Sequence, residues 1–308
     1  MAINTAALGP AASGANPALV RVQVLLARAH FSPGVIDGQA GGNLRNAVSA
    51  YERAHDLPVD GQLDDKVWNA LTTADQAPAI TSYVITDADV KGPFLKVIPK
   101  DDYPAMAKLD RVGYTSPLEG LAERFHMDEA LLKSLNPGAD FAVAGVRILV
   151  AAADAPALSD KVEAIEVDKA VRQVRAFAAD GRLLAVYPAS VGSTERPAPN
   201  GQFAVKAVAT DPTYTYDPKR LTFGDRSAGK LTIKPGPNNP VGVAWIDLTV
   251  PTFGLHGAPD PRLVGKHASH GCVRLTNWDV TELAKAVKTG AKVTFVGREG
   301  DKPAKPRA

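Results

Sequence analysis

The sequence predicts a multidomain α+β protein in which a three-helix bundle and a small α/β module precede a mostly β domain. Apolar residues recur every three or four positions between Ala18 and Thr73, which is typical of amphipathic helices. Two further helical segments and one strand follow before position 153. From about position 160 onward, short runs rich in β-branched and aromatic residues alternate with turn signals, which indicates strands.

The composition narrows the class of protein. Hydrophobic residues make up 45% and charged residues 22% of the 308 residues, which is typical of a folded globular chain with room for two or three domains. The formal charge of +2, with scattered Lys and Arg, argues against nucleic acid as a partner. The sequence contains no run of 18 apolar residues, so no transmembrane segment is predicted. Because Met1–Asn4 lack the basic and apolar regions of a secretory signal, we expect either a cytosolic protein or an export signal outside this sequence.

The first domain is predicted to span residues 17–75. Its three helices are joined by two similar turns, Asp37-Gly38 and Asp60-Gly61, and each Asp-Gly pair supplies a positive φ angle. Together with Gln23 and Trp68, this pattern resembles the peptidoglycan-binding domain 1 family, a three-helix module that docks on bacterial cell-wall polymer. The resemblance implies peptidoglycan as a partner. A helical bundle without a ligand is the alternative interpretation.

A second module is predicted between residues 80 and 153. A capped helix is followed by a helix that ends at Asn136-Pro137-Gly138 and by a strand over residues 145–150. This order resembles the LysM fold, another carbohydrate-binding module of cell walls, whose first strand would have to precede Tyr114. The sequence does not place that strand. A structural spacer is the alternative, and His126 is expected to be a packing or surface residue rather than a ligand.

The third domain is predicted to span residues 160–298 as a β-sandwich or barrel with one helix, Trp278–Lys288, capped by Thr276 or Asn277. The polar residues 299–308 are expected to form a disordered tail. The predicted strands are Ala164–Val167, Gln173–Ala178, Leu183–Val191, Phe203–Ala207 and Val293–Val296.

Reactive residues are concentrated near the end of this domain. Cys272 is the only cysteine, which excludes an internal disulfide, and three of the six histidines lie between position 256 and this cysteine. Lys266 and Arg274 flank the cysteine and are expected to favour its thiolate, the reactive form. A zinc site formed with these histidines is not expected, because no His-x-x-x-His pair is present and glycines interrupt the run. The three histidines are His256, His267 and His270.

A thiol nucleophile needs a nearby imidazole to accept its proton, and two histidines are candidates. His270 lies two positions from Cys272, which is a short reach for a well-aligned pair. His256 lies further upstream and precedes a glycine, so the end of a strand and a loop could bring it to the cysteine. Spacing alone leaves both candidates open.

The cluster resembles a known family. His256-Gly257, then Gly265, then the run Ser269–Leu275 (SHGCVRL), is similar to the signature of the YkuD family, the L,D-transpeptidases of bacterial cell walls. Residues 234–248 also look like the strand and loop that precede the family's histidine. One branch of the family has Asn where this chain has Arg274, so this chain is similar to the Arg-bearing branch.

The resemblance implies a role for each matching residue. Cys272 would be the nucleophile, His256 would take its proton, and the backbone carbonyl of Gly257 would orient the imidazole. His270 and Gly271 would supply backbone N–H donors to the oxyanion. The substrate-binding residues that the resemblance implies are Ser269, Arg274, Trp245 and Asn239.

The resemblance also implies two successive acyl transfers. Cys272 would attack the carbonyl of the third residue of a peptidoglycan tetrapeptide stem, D-alanine would leave, and the thioester would pass to an amine on a neighbouring stem, forming a 3-3 cross-link. No metal or organic cofactor is expected. Release by water (an L,D-carboxypeptidase), transfer to a wall-anchored protein, a cytosolic thiol hydrolase and a non-catalytic cell-wall-binding protein stay open. The leading hypothesis places the protein in the periplasm or cell envelope.

Overall fold

The computed structural model describes residues 2–9, 15–100, 102–219, 227, 229–269 and 271–300. The N-terminal region contains three helices, which confirms the predicted bundle. Polar side chains before two of these helices accept free backbone N–H groups: Asn16 caps the first helix, and Asp64 caps the third. The helices are α1 (Pro17–Arg28), α2 (Gly42–Ala54) and α3 (Asp65–Ala74).

The two Asp-Gly turns of the bundle are built in the same way. The Gln23 side chain on α1 accepts hydrogen bonds from the N–H groups of Asp37 and Gly38, at 3.1 and 2.8 Å. The Glu52 carboxylate on α2 accepts from the N–H groups of Asp60 and Gly61, at 3.0 and 2.8 Å. Both glycines have positive φ angles, +68° and +71°. A buried polar side chain therefore fixes each turn that the sequence predicts.

The middle region contains a two-stranded antiparallel sheet and four helices. The strand that the sequence did not place is β1, which pairs with β2 and precedes Tyr114. The elements are β1 (Ile80–Val84), α4 (Asp87–Val90), α5 (Tyr103–Met106), α6 (Pro117–Arg124), α7 (Glu129–Leu135) and β2 (Arg147–Ala151). Apart from the single-turn helices α4 and α5, the order strand, helix pair, strand is the one that the LysM resemblance implies, and the assignment to that fold stays a prediction. Residues 91–100 and 102–113, which contain α5, are called the inserted segment below.

Asn136 explains why an Asn-Pro pair follows α7. Its amide nitrogen donates to the carbonyl of Leu149 at 2.8 Å, and its amide oxygen accepts from the Leu149 N–H at 2.6 Å. The Asn136 side chain therefore pairs with a residue of β2 as a neighbouring strand would. This contact holds the second helix of the middle region against its sheet.

The C-terminal domain is mostly β with one clear helix, which confirms the predicted class. Eight strands form one sheet in the order β11-β10-β9-β6-β12-β3-β4-β5, and β7 pairs with β8 as a separate hairpin. The elements are β3 (Val162–Asp168), β4 (Gln173–Phe177), β5 (Leu183–Pro188), β6 (Gly201–Thr210), β7 (Tyr214–Tyr216), β8 (Leu231–Ile233), β9 (Ala244–Leu248), β10 (Gly254–His256), β11 (Val273–Arg274), α8 (Asn277–Ala286) and β12 (Val287–Val296).

Several boundaries differ from the predictions. β5 ends at Pro188 rather than Val191, and β6 and β12 extend beyond the predicted ranges Phe203–Ala207 and Val293–Val296. Thr276 is the residue that caps α8, and the helix ends at Ala286 rather than Lys288 because β12 begins directly after it. Glu299, predicted to start the tail, belongs to the folded domain. Its carboxylate accepts from the Ala198 N–H at 2.7 Å and lies 3.4 Å from the buried ammonium group of Lys169. Residues 301–308 of the predicted tail lie outside the described residues.

The N-terminal regions pack directly on the C-terminal domain. Phe31, which follows α1, forms an isolated parallel bridge with Val186 on the edge strand β5. Val186 is fully buried in the apolar cluster of the helical bundle. The bundle and the middle region are joined in the same way by a bridge between Ile36 and Met127. The three regions therefore share buried surface instead of being joined only by linkers.

Candidate active site

The sheet places His256 and Cys272 side by side. His256 is the last residue of β10 and Cys272 immediately precedes β11, and these strands are parallel neighbours with Leu255 opposite Val273. In this register Cys272 lies level with Gly254 and His256 lies level with Arg274, so the two residues are two positions apart along neighbouring strands. Both line one cavity of about 750 Å³.

His256 is held in one orientation by its neighbours. Its Nδ1 lies 2.7 Å from the carbonyl oxygen of Gly257, which can only accept, so Nδ1 carries the proton and Nε2 keeps its lone pair. The Trp245 ring stacks on the imidazole with centroids 5.4 Å apart. Burial, assisted by the charge of Arg274, lowers the pKa of His256 to about 3. The imidazole is therefore neutral at physiological pH and able to accept a proton.

Asn277 explains why a glycine follows the histidine. A Cβ atom at Gly257 would lie 2.1 Å from the Asn277 side-chain oxygen. That oxygen accepts from the Val243 N–H at 3.2 Å, and the amide nitrogen donates to Glu123 of the middle region at 2.9 Å. Sequence analysis proposed Asn277 only as a possible helix cap. No local pattern indicates its contact with the histidine loop.

The environment of Cys272 differs from the sequence-based expectation. Burial raises the pKa of the thiol, and this effect exceeds the opposing effects of the Gly254 N–H and the Arg274 charge. Its Sγ lies 3.6 Å from the Thr252 carbonyl oxygen, to which the neutral thiol can donate. The charge of Arg274 favours the thiolate as the sequence predicts, but burial outweighs it, so the net direction of the pKa shift is opposite to the expected one.

Ser269 shapes the turn that carries the cysteine. Its hydroxyl donates to the Cys272 carbonyl oxygen and accepts from the Gly271 N–H at 3.1 Å. Gly271 has a φ angle of +115°, which disfavours residues with a side chain. The Gly271 N–H is thus engaged within the turn, and its role as an oxyanion donor stays a prediction. His270 lies outside the described residues.

The predicted substrate-binding residues fall into two groups. Trp245 and Arg274 line the cavity, and the backbone of Arg274 exchanges two 2.9 Å hydrogen bonds with Ser190. Asn239 does not line it: the residue is 0% exposed, its amide nitrogen donates to the Lys234 carbonyl at 2.8 Å, and its oxygen accepts from the Val241 N–H at 2.9 Å. Its predicted contact with substrate is contradicted, because both ends of the amide stabilise its own loop.

Elements that the sequence did not associate with the site complete the cavity. The β7–β8 hairpin contributes Tyr214, and the inserted segment contributes Tyr103. Lys206 and Asp247 also line it and form an ion pair at 3.3 Å. Within the described ranges, no group of three or more metal-ligating side chains occurs, and no helix is long and apolar enough to cross a membrane.

Comparisons with known proteins identify the class of the C-terminal domain as a transferase-type catalytic domain. Residues 163–295 match the family model of the YkuD "L,D-transpeptidase catalytic domain", and residues 15–71 match that of the "Putative peptidoglycan binding domain". The chain therefore contains a catalytic domain of the YkuD family of L,D-transpeptidases and an N-terminal domain of the peptidoglycan-binding family.

Individual relatives carry the same family name. The "Putative L,D-transpeptidase YkuD" of Bacillus licheniformis is 28% identical over 180 residues, covering 58% of this chain and 92% of the relative. The "Probable L,D-transpeptidase YbiS" of Escherichia coli is 28% identical over 198 residues, covering 63% of each chain. A solved L,D-transpeptidase structure from Xylanimonas cellulosilytica has 16% identity and a TM-score of 0.41, covering 94% of this chain and 98% of that one.

Proposed function

We propose that this protein is an L,D-transpeptidase that acts on peptidoglycan tetrapeptide stems through a thioester on Cys272. The observation that carries the proposal is the placement of the only cysteine and an oriented, neutral histidine in one cavity, on a domain of the L,D-transpeptidase family. The proposed products are D-alanine and 3-3 cross-linked stems. Because peptidoglycan lies outside the cytoplasm, the proposed location is the periplasm or cell envelope.

The first step forms the thioester. Cys272 Sγ attacks the carbonyl carbon of the third stem residue, and its proton passes to Nε2 of His256. Both groups start neutral, so proton transfer accompanies formation of the C–S bond instead of preceding it. The resulting imidazolium then protonates the leaving amine as the C–N bond to D-alanine breaks. The low pKa of the buried imidazole makes it a strong proton donor at this point.

The second step transfers the acyl group to an amine. Neutral His256 takes a proton from the amine of a neighbouring stem as its nitrogen attacks the thioester, and the C–S bond breaks. The proton returns to the sulfur, which restores the starting state. Water or the amine of a wall-anchored protein would follow the same route, because each differs only in the group that reaches the thioester.

The N-terminal domain supports this assignment. A peptidoglycan-binding domain on the same chain would hold the catalytic domain on its polymer and raise the local concentration of stems without any new contact in the cavity. The bundle packs on β5 and contributes no residue that is found lining the active-site cavity in the described part of the chain. We therefore propose that it attaches the enzyme and takes no part in the acyl transfer.

Incubation of purified disaccharide-tetrapeptides with the protein, followed by mass-resolved chromatography, tests the proposal. Dimers linked through the third stem residues, together with free D-alanine, are expected from the wild type. Cys272→Ala should give neither, whereas His267→Ala, a change at an exposed histidine, should behave as the wild type. Tripeptides without dimers would indicate a carboxypeptidase. Unchanged substrate with both proteins would refute action on free stems and favour a binding role or a protein acceptor.

A further inference from the structure

The inserted segment of the middle region lies against the β7–β8 hairpin, which lines the active-site cavity. The Tyr103 ring stacks on that of Tyr216 with centroids 4.5 Å apart and an interplanar angle of 20°. It also lies 5.9 Å from the Tyr214 ring. Tyr103 and Tyr214 line the same cavity as Cys272. An aromatic wall of this cavity is thus formed jointly by two regions of the chain.

The inserted segment is closely packed against both arms of the hairpin. Met106, Val112 and Ile233 form a buried apolar cluster. The Val112 N–H donates to the Pro235 carbonyl at 2.9 Å, and its carbonyl accepts from the Asn238 N–H at 3.0 Å. A Cβ atom at position 236, where the chain has glycine, would lie 2.2 Å from the Val112 oxygen, so only glycine permits this approach.

Polar contacts hold the residues that flank the hairpin. Arg111 forms two hydrogen bonds, at 2.8 and 3.0 Å, with the carboxylate of Asp211, which precedes β7. Asn238, which follows β8, donates through its side chain to the Gly113 carbonyl at 3.0 Å and to the Glu119 carboxylate at 2.7 Å. Both ends of the hairpin are therefore fastened to the middle region.

The hairpin needs this support. Among the described residues of the hairpin, three residue pairs join β7 to β8, and a two-stranded hairpin is marginally stable by itself in water. Its position in the cavity wall consequently depends on the surface that the inserted segment provides. Removing the Tyr103 ring would open the cavity wall and remove the ring stacked on Tyr216.

We propose that Tyr103 is a substrate-positioning residue and that the inserted segment determines which acyl donors reach Cys272. This inference rests on the proposed function for the identity of the donor, a stem peptide. The aromatic wall supplies an apolar surface against which the end of the stem lies while its third residue is held over the sulfur. The middle region is accordingly part of the catalytic unit, in addition to any carbohydrate binding that its LysM-like order suggests.

The single cysteine allows a test that does not depend on turnover. The rate of alkylation of Cys272 is measured with iodoacetamide, which is small, and with N-phenylmaleimide, which is bulky. Tyr103→Ala should raise the bulky-to-small rate ratio about three- to tenfold, the size expected for the loss of one aromatic contact. Tyr103→Phe should retain the wild-type ratio because it keeps the ring. An unchanged ratio in Tyr103→Ala would overturn the proposal.

A charge exchange provides a second variant that leaves Tyr103 in place. Arg111→Asp should raise the same ratio, and the double variant Arg111→Asp/Asp211→Arg should restore it, because the ion pair is re-formed with reversed charges. Failure of both changes to affect the ratio would show that the docked segment does not control the cavity. Tyr83→Ala, in β1 of the same region and outside the cavity lining, serves as the matched control.

Stem-peptide kinetics separates this inference from the proposed function. Tyr103→Ala should raise the KM for the tetrapeptide about three- to tenfold with a smaller change in kcat. If Tyr103→Ala changes the alkylation ratio but the wild type does not turn over the stem peptide, the proposed function is refuted and the inference about the cavity wall stands. Normal turnover with an unchanged KM and ratio in Tyr103→Ala would refute the inference and retain the proposed function.

Discussion

The helical bundle and the middle region both pack on the catalytic domain and both reach α8, but among the described residues only the middle region contributes to the active-site cavity. The bundle extends the edge strand β5 through Phe31 and Val186, and Asn43 donates to the Val264 carbonyl at 2.9 Å. The inserted segment of the middle region instead contributes Tyr103 to the active-site cavity. A match to a known binding family does not predict proximity to the chemistry. The matched bundle contributes no described residue to the cavity lining, whereas the middle region contributes Tyr103.

The largest effect on turnover is expected from a change in the cavity itself, to which the bundle contributes no described residue and the middle region contributes Tyr103. His256→Ala removes the group that accepts the thiol proton, and loss of a general base lowers kcat by about 10²- to 10⁴-fold. Turnover of soluble stem peptide measures the effect. Loss of the same size in His267→Ala would contradict the assignment of the base, because His267 is exposed and does not line the cavity.

A smaller effect on turnover is expected from Gly257, which does not line the cavity but orients His256. Gly257→Ala places a Cβ atom 2.1 Å from the Asn277 oxygen and 3.1 Å from the Gly242 Cα, so the loop that orients His256 must shift. Overpacking of this kind costs about 1 to 3 kcal/mol of unfolding free energy, and we expect a fall in kcat with it. Urea unfolding and stem turnover provide the two measurements.

The matched control for Gly257 lies in the bundle. Gly42, the first residue of α2, has no heavy atom within 4 Å of a built Cβ position. Gly42→Ala should leave kcat unchanged and stabilise the protein by up to about 0.5 to 1 kcal/mol, because alanine loses less conformational freedom on folding. Equal destabilisation in both variants would show that the contact with Asn277 is not the cause.

The contact between the middle region and α8 should produce a pH-dependent effect on stability. Burial raises the pKa of the Glu123 carboxyl to about 7 from its ordinary 4.5. Between these values the folded protein binds more protons than the unfolded chain, so this group makes the free energy of unfolding fall as the pH rises from 4.5 through 7. Glu123→Gln can still accept from Tyr114 and Asn277, and it should reduce that fall by on the order of 1 kcal/mol.

Urea titrations at pH 5 and pH 8 measure this difference. Part of the fall should remain in Glu123→Gln, because burial also raises the pKa of Asp279, on α8, to about 7. The variant should therefore be less sensitive to pH than the wild type without losing all sensitivity. If the free energy of unfolding changes by the same amount between pH 5 and pH 8 in both proteins, Glu123 is already ionised in the folded state at pH 5.

The smallest effect on turnover is expected from the bundle. Trp68 on α3 is half-buried and lies against the Arg21 guanidinium at 5.4 Å. If the bundle only attaches the enzyme, Trp68→Ala should leave turnover of soluble stems unchanged and lower the amount of protein that cosediments with intact peptidoglycan a few-fold. A changed kcat on soluble stems would show that the bundle also influences the cavity.

Parts of the fold were predictable because their signals are local. The helices of the bundle follow from apolar periodicity, and its turns follow from Asp-Gly pairs. The polar residues that hold those turns were not predictable in the same way. Glu52 is a buried carboxylate on α2, and a sequence does not distinguish it from the exposed acidic residues of an ordinary amphipathic helix.

Two elements of the middle region, β1 and α5, were not predictable from the sequence for a different reason. Strand β1 ends at Val84 and its partner β2 begins only at Arg147, so its existence depends on a long-range pairing. The helix α5 is a single turn, too short to show a periodic pattern. Tyr103 therefore carries no local signal that would connect it with Cys272.

The active site also combines residues that a local motif predicts with properties that depend on distant parts of the chain. Cys272 and His256 were assigned from a motif that lies within one short stretch of the chain, positions 256–275. The ionisation of the thiol was mispredicted because neighbouring charges are visible in a sequence, whereas burial by distant segments is not. The predicted substrate contact of Asn239 is wrong because the sequence does not show whether an amide in a Pro- and Gly-rich loop faces solvent or bonds the backbone of its own loop.

The bridge formed by Asn277 limits how this chain can be divided or recombined. Its amide joins the histidine loop, through the Gly257 contact and the Val243 N–H, to Glu123 in the middle region. A truncated protein starting near position 160 would lose Glu123 as well as the surface that supports the β7–β8 hairpin. Chimaeras that transplant this catalytic domain should therefore keep the middle region with it.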